Sequence, residues 1–163
     1  MKKEQLNKIL DDHKLWLESK GEKGKQAFMS RANLVEANLE GAYLSGSVLY
    51  SVNLIGANLS GANLSGANLI GAVLSDSNLK GANLIGTNLK GAYLAGADLE
   101  EGNLKGAYLK GANLMGADLR GANFTIEIRE AKNLKLCQII KDQLPWLALH
   151  PMFSKFYPTL RVS

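Results

Sequence analysis

The chain has 163 residues, 46% of them apolar and 21% charged, which suits about one folded domain and excludes a disordered polar chain. Its formal charge of +4 resides at the ends, because residues 27–126 hold six basic and seven acidic side chains while 1–26 and 127–163 are basic by two and by three. The near-neutral middle argues against nucleic-acid binding, the single Cys137 excludes an intrachain disulfide, and no apolar run reaches membrane-spanning length.

In residues 1–26, Leu6, Ile9, Leu10, His13, Trp16 and Leu17 recur at helical spacing. This stripe predicts an amphipathic helix that stops near Gly21. Lys2 and Lys3 look like the start of an export signal, but Glu4, Asn7, Asp11 and Asp12 interrupt any apolar core, so a soluble, cytoplasmic protein is expected. His13 lies on the apolar stripe and is read as a packed or hydrogen-bonded histidine.

From Ala27 to Ile126 a five-residue unit repeats twenty times without insertion, reading Ala-Asn-Leu-x-Gly where it is cleanest, as in Ala57-Asn58-Leu59-Ser60-Gly61. A period of five fits neither a helix nor an ordinary strand, so a coiled solenoid is required. Leu34, Leu39, Leu44 and so on to Leu119 share one position, with Met29 and Phe124 at its ends. Two residues earlier stands Ala, or Ser47, Val52, Ser77, Thr87 or Gly102. Residues two apart in extended backbone point the same way, so the Leu and the small residue are predicted to face inward and the other three positions outward. The Gly at the end of each unit suits a corner. Collagen, which needs Gly every third residue, and a flexible linker, which would not hold Leu in phase, are both excluded.

These residues resemble the pentapeptide-repeat family, whose consensus is Ala-(Asp/Asn)-Leu-x-x. The segment Leu10-x-x-His13-x-x-Trp16-Leu17 with the glycines after it is similar to leaders that precede the repeats in some bacterial members. The resemblance implies an all-β solenoid, a right-handed quadrilateral β-helix in which each unit makes one side. Twenty units make about five four-sided coils, roughly 24 Å tall at the usual strand spacing. Residue n then stacks on n+20. Three regions are expected: 1–26 as a capping helix and linker, 27–126 as the β-helix, and 127–163 as a helical C-terminal cap.

Reading the repeat in steps of twenty places Val48, Tyr50, Ile70 and Tyr108 on one side and Val35, Ile55, Val73, Tyr93 and Met115 on its neighbour, all at outward positions. The first eight of these without Met115 form the candidate interaction face, with Lys90 and Lys110 as a basic rim. Scattered surface apolar residues are the alternative. The column Glu40, Ser60, Lys80, Glu100, Arg120, with Asp98, Glu101 and Asp118 nearby, reads as a solvated polar side.

After Phe124 the small residue is replaced by Glu127, Lys132 and Asp142, although Leu134, Ile139 and Leu144 keep the beat. Either a degenerate sixth coil begins or Thr125 starts a helix, and charges at inward sites favour the helix. Trp146, Leu149, Phe153, Phe156 and Tyr157 are too apolar for a free tail and serve as a cap or as the candidate contact of a homodimer. The resemblance implies dimerisation through this end.

No catalytic, cofactor-binding or metal-ligating set is visible, since His13, His150 and Cys137 stand apart. The expected function is a non-enzymatic rigid scaffold for a protein partner or for a second copy. The alternative implied by the resemblance is a DNA-mimicking binder of DNA gyrase or topoisomerase that protects against quinolones or toxins. The repeat's net charge of −1 and its lack of loops argue against that alternative.

Overall fold

The computed structural model describes residues 1–124. The expected helix is present as α1, Lys3–Glu18, with Leu6 and His13 buried and Ile9 and Leu10 packed against the core. Its end refines the sequence reading. The Gly21 N–H donates to the Trp16 carbonyl at 2.8 Å and the Lys20 N–H to the Leu17 carbonyl at 3.2 Å, a Schellman closure. The left-handed residue that opens this closure is therefore Lys20 (φ 55°), one position before the glycine.

The link from α1 into the repeat doubles back along the helix, where the Lys25 N–H donates to the Asp12 carbonyl at 3.0 Å. At Gly24 (φ +69°) a methyl group would run into the Asp12 carbonyl and the Trp16 amide. Glycine is required there both by conformation and by space.

The repeat coils as its period requires. Parallel bridges join Asn33 to Asn53, Asn38 to Asn58, Tyr43 to Asn63 and Val48 to Asn68, and the same step of twenty continues to Asp98–Asp118 and Asn103–Asn123. Four pairing columns per twenty residues make four sides. We call side I the one that carries Leu34, Leu54, Leu74, Leu94 and Leu114. Side II carries Leu39 to Leu119, side III Leu44 to Leu104, and side IV Met29 to Leu109, each in steps of twenty.

One unit shows how the backbone is satisfied. The Leu34 N–H donates to the Asn53 carbonyl (2.7 Å), the Glu36 N–H to the Ile55 carbonyl (2.9 Å), and the Asn53 N–H returns to the Ala32 carbonyl (2.9 Å). The Ala37 N–H donates to the Leu34 carbonyl (3.1 Å) and closes a four-residue turn at the corner. The third residue of that turn has positive φ, as a type II turn demands. Glycine usually fills the position, and Arg31, Glu36, Ser51, Asp76 and Glu101 hold the same left-handed conformation without being glycine.

Both inward columns are buried beyond the first turn. Every Leu from Leu44 to Leu119 is at most 1% exposed, and the Ala two residues before it is buried equally well in the inner coils. Polar residues at the small position bond to nearby carbonyls: the Ser77 hydroxyl donates to Leu74 O and the Thr87 hydroxyl to Leu64 O, both at 2.7 Å. Among the described residues the buried Ser47 hydroxyl has no such partner. Ala32, Ala37 and Ala42 in the first turn are only half-buried.

His13 ties α1 to this first turn. It is fully buried, its Nδ1 accepts the Ala27 N–H at 3.0 Å, and its Nε2 lies 3.1 Å from the Ser45 carbonyl. An amide must donate and a carbonyl must accept, so the ring is the neutral Nε2–H tautomer. Trp16 stacks on it, with ring centroids 5.5 Å apart. Nearby, the Gln26 side-chain amide donates to the Gly46 carbonyl at 2.7 Å. The expectations for 127–163, including the helix or sixth coil and the contact through Trp146, Leu149, Phe153, Phe156 and Tyr157, lie outside the described residues.

Candidate interaction surfaces

The residue just before each inward Leu sets up the surface. Every Asn or Asp there, from Asn33 to Asp118, accepts through Oδ1 the N–H of the residue two further on; examples are Asn53 with the Ile55 N–H (3.2 Å) and Asp98 with the Glu100 N–H (2.9 Å). This local acceptor is why Asn recurs at an outward position. It corrects the expectation that the position simply faces water, since most of these Asn side chains are half-buried.

Six units up to Asp118 give up this bond for an apolar or aromatic side chain: Phe28, Tyr43, Val48, Val73, Tyr93 and Tyr108. Each replacement loses a local acceptor and sets apolar surface against water. Neither change helps the fold. Phe28 and Tyr43, 67% and 54% exposed, escaped the sequence reading, although the missing Asn marked both.

All eight residues of the candidate face lie outward. Val35, Tyr50, Ile55, Tyr93 and Tyr108 are exposed, while Val48, Ile70 and Val73 are half-buried. The coil joins some and separates others. Phe28 pairs with Val48 and Val73 with Tyr93, and the Ser51 N–H donates to the Ile70 carbonyl, so Tyr50 and Ile70 stack on successive coils. Tyr108 is parted from Val48 by Asn68 and Asn88 in the same column. Side IV therefore has an apolar lower half and an upper half bearing Lys90, Lys110 and Tyr108.

Two of the aromatics are already held in place. The Arg31 guanidinium lies 5.7 Å from the Tyr50 ring centroid, and Ser51 and then Arg31 hold the Tyr50 hydroxyl below the usual phenol range. Lys14 of α1 sits over Tyr43 at 5.5 Å. At the edge of α1, Val35 helps line a cleft of about 330 Å³ together with Met1, Lys3, Leu6 and Asn33. Its walls carry no carboxylate, imidazole or thiol.

Charge is sorted in a way the linear sequence conceals. All seven carboxylates of residues 27–124 fall on side II or its two corners: Glu40, Asp98, Glu100 and Asp118 on the side, Glu36, Asp76 and Glu101 at the corners. Seven carboxylates against Lys80 and Arg120 leave this side at −5. Arg31, Lys90, Lys105 and Lys110 occupy the rest of the coil, which has no carboxylate.

Side II is also internally braced. Lys80 bonds Glu100 at 2.8 Å, and Arg120 holds Asp118 through Nε and Nη2 at 2.6–2.9 Å. That bidentate contact keeps the Asp118 carboxyl below its usual range. Pairs this exposed add little stability. Among the described residues no group of His, Cys, Asp and Glu is arranged to hold a metal ion, and no helix is long and apolar enough to cross a membrane.

The family model for pentapeptide repeats matches in eight copies over residues 27–66, 53–91 and 87–125. Among solved structures, a pentapeptide repeat protein from the thylakoid lumen of Arabidopsis thaliana is 31% identical, with a TM-score of 0.52 over 63% of this chain and 68% of that one. QnrB1, a plasmid-mediated fluoroquinolone resistance protein, is 23% identical, with a TM-score of 0.50 over 79% of this chain and 74% of that one. No curated protein matches the sequence.

Proposed function

The chain belongs to the pentapeptide-repeat family, whose members form right-handed quadrilateral β-helices, and from that premise we propose that it is a rigid, non-enzymatic scaffold that presents side IV and the adjoining corner of side I to a protein partner. In this reading residues 27–126 make five coils, α1 closes one end and 127–163 closes the other and carries the dimer contact. The setting is cytoplasmic. A stacked coil loses little freedom on binding, so more of the contact energy appears as affinity.

The observation that carries the reading is the exchange of Asn for the apolar groups Phe28 and Val48 where the backbone would prefer Asn, beside Tyr50 and Ile70 at the position after the inward Leu on the same side. Tyr50 supplies a pre-oriented aromatic of the kind that anchors interfaces. Substituting Tyr50 and Ile70 together by Lys is expected to reduce partner capture from the native host about tenfold while leaving the melting temperature near wild type. Undiminished capture by the folded variant sinks this surface.

A second reading, protection of a type II topoisomerase by DNA mimicry, draws support from the −5 of side II, which the near-neutral overall charge had hidden. Lys80 and Arg120 interrupt that side, and the likeness to QnrB1 is one of fold. A gyrase supercoiling assay with quinolone separates the two readings: absence of protection at about micromolar protein removes the second.

A further inference from the structure

The sorting of charge also bears on the chemistry of the partner. Lys90 and Lys110 are successive members of one column on side IV, linked through the Gly91 N–H to Lys110 carbonyl bond at 2.9 Å. Tyr108, 63% exposed, stands two residues before Lys110. Around one corner, on side III, Lys105 sits above Ile85, which is 42% exposed; around the other, on side I, lies Tyr93 at 54%. Among the described residues none of the three lysines is in an ion pair, and no carboxylate lies on side III or side IV, the nearest being Glu101 at the corner between sides II and III. The upper half of side IV and the adjoining edges of sides III and I thus form a patch of cations, unpaired among the described residues, interleaved with aromatic and aliphatic groups.

Resting on the scaffold reading, we infer that this patch docks an acidic protein segment, whose carboxylates meet Lys90, Lys105 and Lys110 while its apolar residues pack against Tyr108 on side IV and Tyr93 around the corner. Charge complementarity selects the occupant, and the aromatic groups give it an anchor. A second copy offers the right sign on side II but a poor fit. That side presents Asn, Asp, Glu, Ser, Lys and Arg, with no apolar side chain to cover the tyrosines. A nucleic acid would use the lysines and could stack on the tyrosines, but it would leave Ile85 and the neighbouring Ile70 without a role.

The test is selection of a random linear peptide library on the immobilised full-length protein, followed by fluorescence anisotropy of the enriched peptides. Enriched sequences should carry several carboxylates beside an aromatic or aliphatic residue. Their affinity should fall about tenfold or more in Lys90→Glu/Lys110→Glu, and hold in Lys80→Glu on the opposite side. The double variant should fold, because Glu40 and Glu100 occupy the same position in their units, and Lys90→Gln/Lys110→Gln serves as a second variant if its melting curve is altered. No enrichment, enrichment of carboxylate-free peptides, or affinity indifferent to Lys90 and Lys110 overturns the inference. So does equal binding of a single-stranded DNA oligonucleotide, or self-association in sedimentation that the same variant abolishes. If host capture is lost in the Tyr50 and Ile70 variant while peptide binding ignores Lys90 and Lys110, the scaffold stands and only the acidic partner is wrong.

Discussion

Leu84→Lys is expected to leave the chain unfolded at room temperature. Leu84 is 1% exposed and stands in the column Leu44, Leu64, Leu84, Leu104 at the centre of the stack. The change forfeits about 2 kcal/mol of apolar burial and sets an ammonium among leucines with no acceptor, a further cost of several kcal/mol. Together these rival the whole stability of an ordinary domain, roughly 5–15 kcal/mol. A solenoid also has no way around the fault, because each coil is held only by its two neighbours. Ile85→Lys, one residue away, is the matched control, since the same position in other units natively holds Lys80, Lys90, Lys105 and Lys110. It should change stability by no more than about 0.5 kcal/mol. Thermal melting followed by circular dichroism reads both, and similar curves for the two variants would contradict the inward assignment.

His13→Ala is expected to cost about 3 kcal/mol, because it leaves the Ala27 N–H and the Ser45 carbonyl without partners and opens a cavity beside Trp16. The same residue makes stability depend on pH. Burial lowers the His13 pKa from its ordinary 6.5, and the bond to the Ser45 carbonyl opposes that shift more weakly. The unfolded chain therefore binds a proton that the folded one refuses, so stability rises with pH across this interval. The contribution is complete above the unfolded value and is progressively lost as pH falls below about 6.5 toward the lower folded value. Structurally, a proton on Nδ1 would confront the Ala27 N–H. The melting temperature, followed by circular dichroism, should drop between pH 7 and pH 5 in the wild type and change much less in His13→Ala. Parallel profiles for the two proteins would show that the buried imidazole is not the titrating group.

The features that were legible in advance share one cause. The inward Leu and the small residue beside it recur every five residues, and burial acts on each side chain through its own polarity and size. That is why Leu34 through Leu119 and the residues at the Ala position, including Ser47 and Thr87, were assignable from the sequence. The stripe from Leu6 to Leu17 was legible for the same reason, as a helical period carried on a single segment. Less was visible at the surface. The Asn Oδ1 bond needs the turn geometry of the corner before its purpose appears, and without it Phe28 and Tyr43 did not stand out as departures. The pairing of His13 with Ala27 and Ser45 joins residues 14 and 32 apart, which no local pattern encodes.

The sequence by itself determined the architecture: a five-residue period with one large and one small inward residue must coil, and the resemblance its residues bear to a known family set the number of sides. Only the tertiary structure decided how the surface is divided. The same seven carboxylates and six cations that cancel to −1 along the chain separate into one acidic side and a basic remainder once the coil returns every twenty residues. Electrostatic potential depends on distance in space, and the coil sets residues n and n+20 about one strand spacing apart. Glu40, Asp98 and Asp118, scattered in sequence, thereby act together on one side while Lys90 and Lys110 act together on the side opposite.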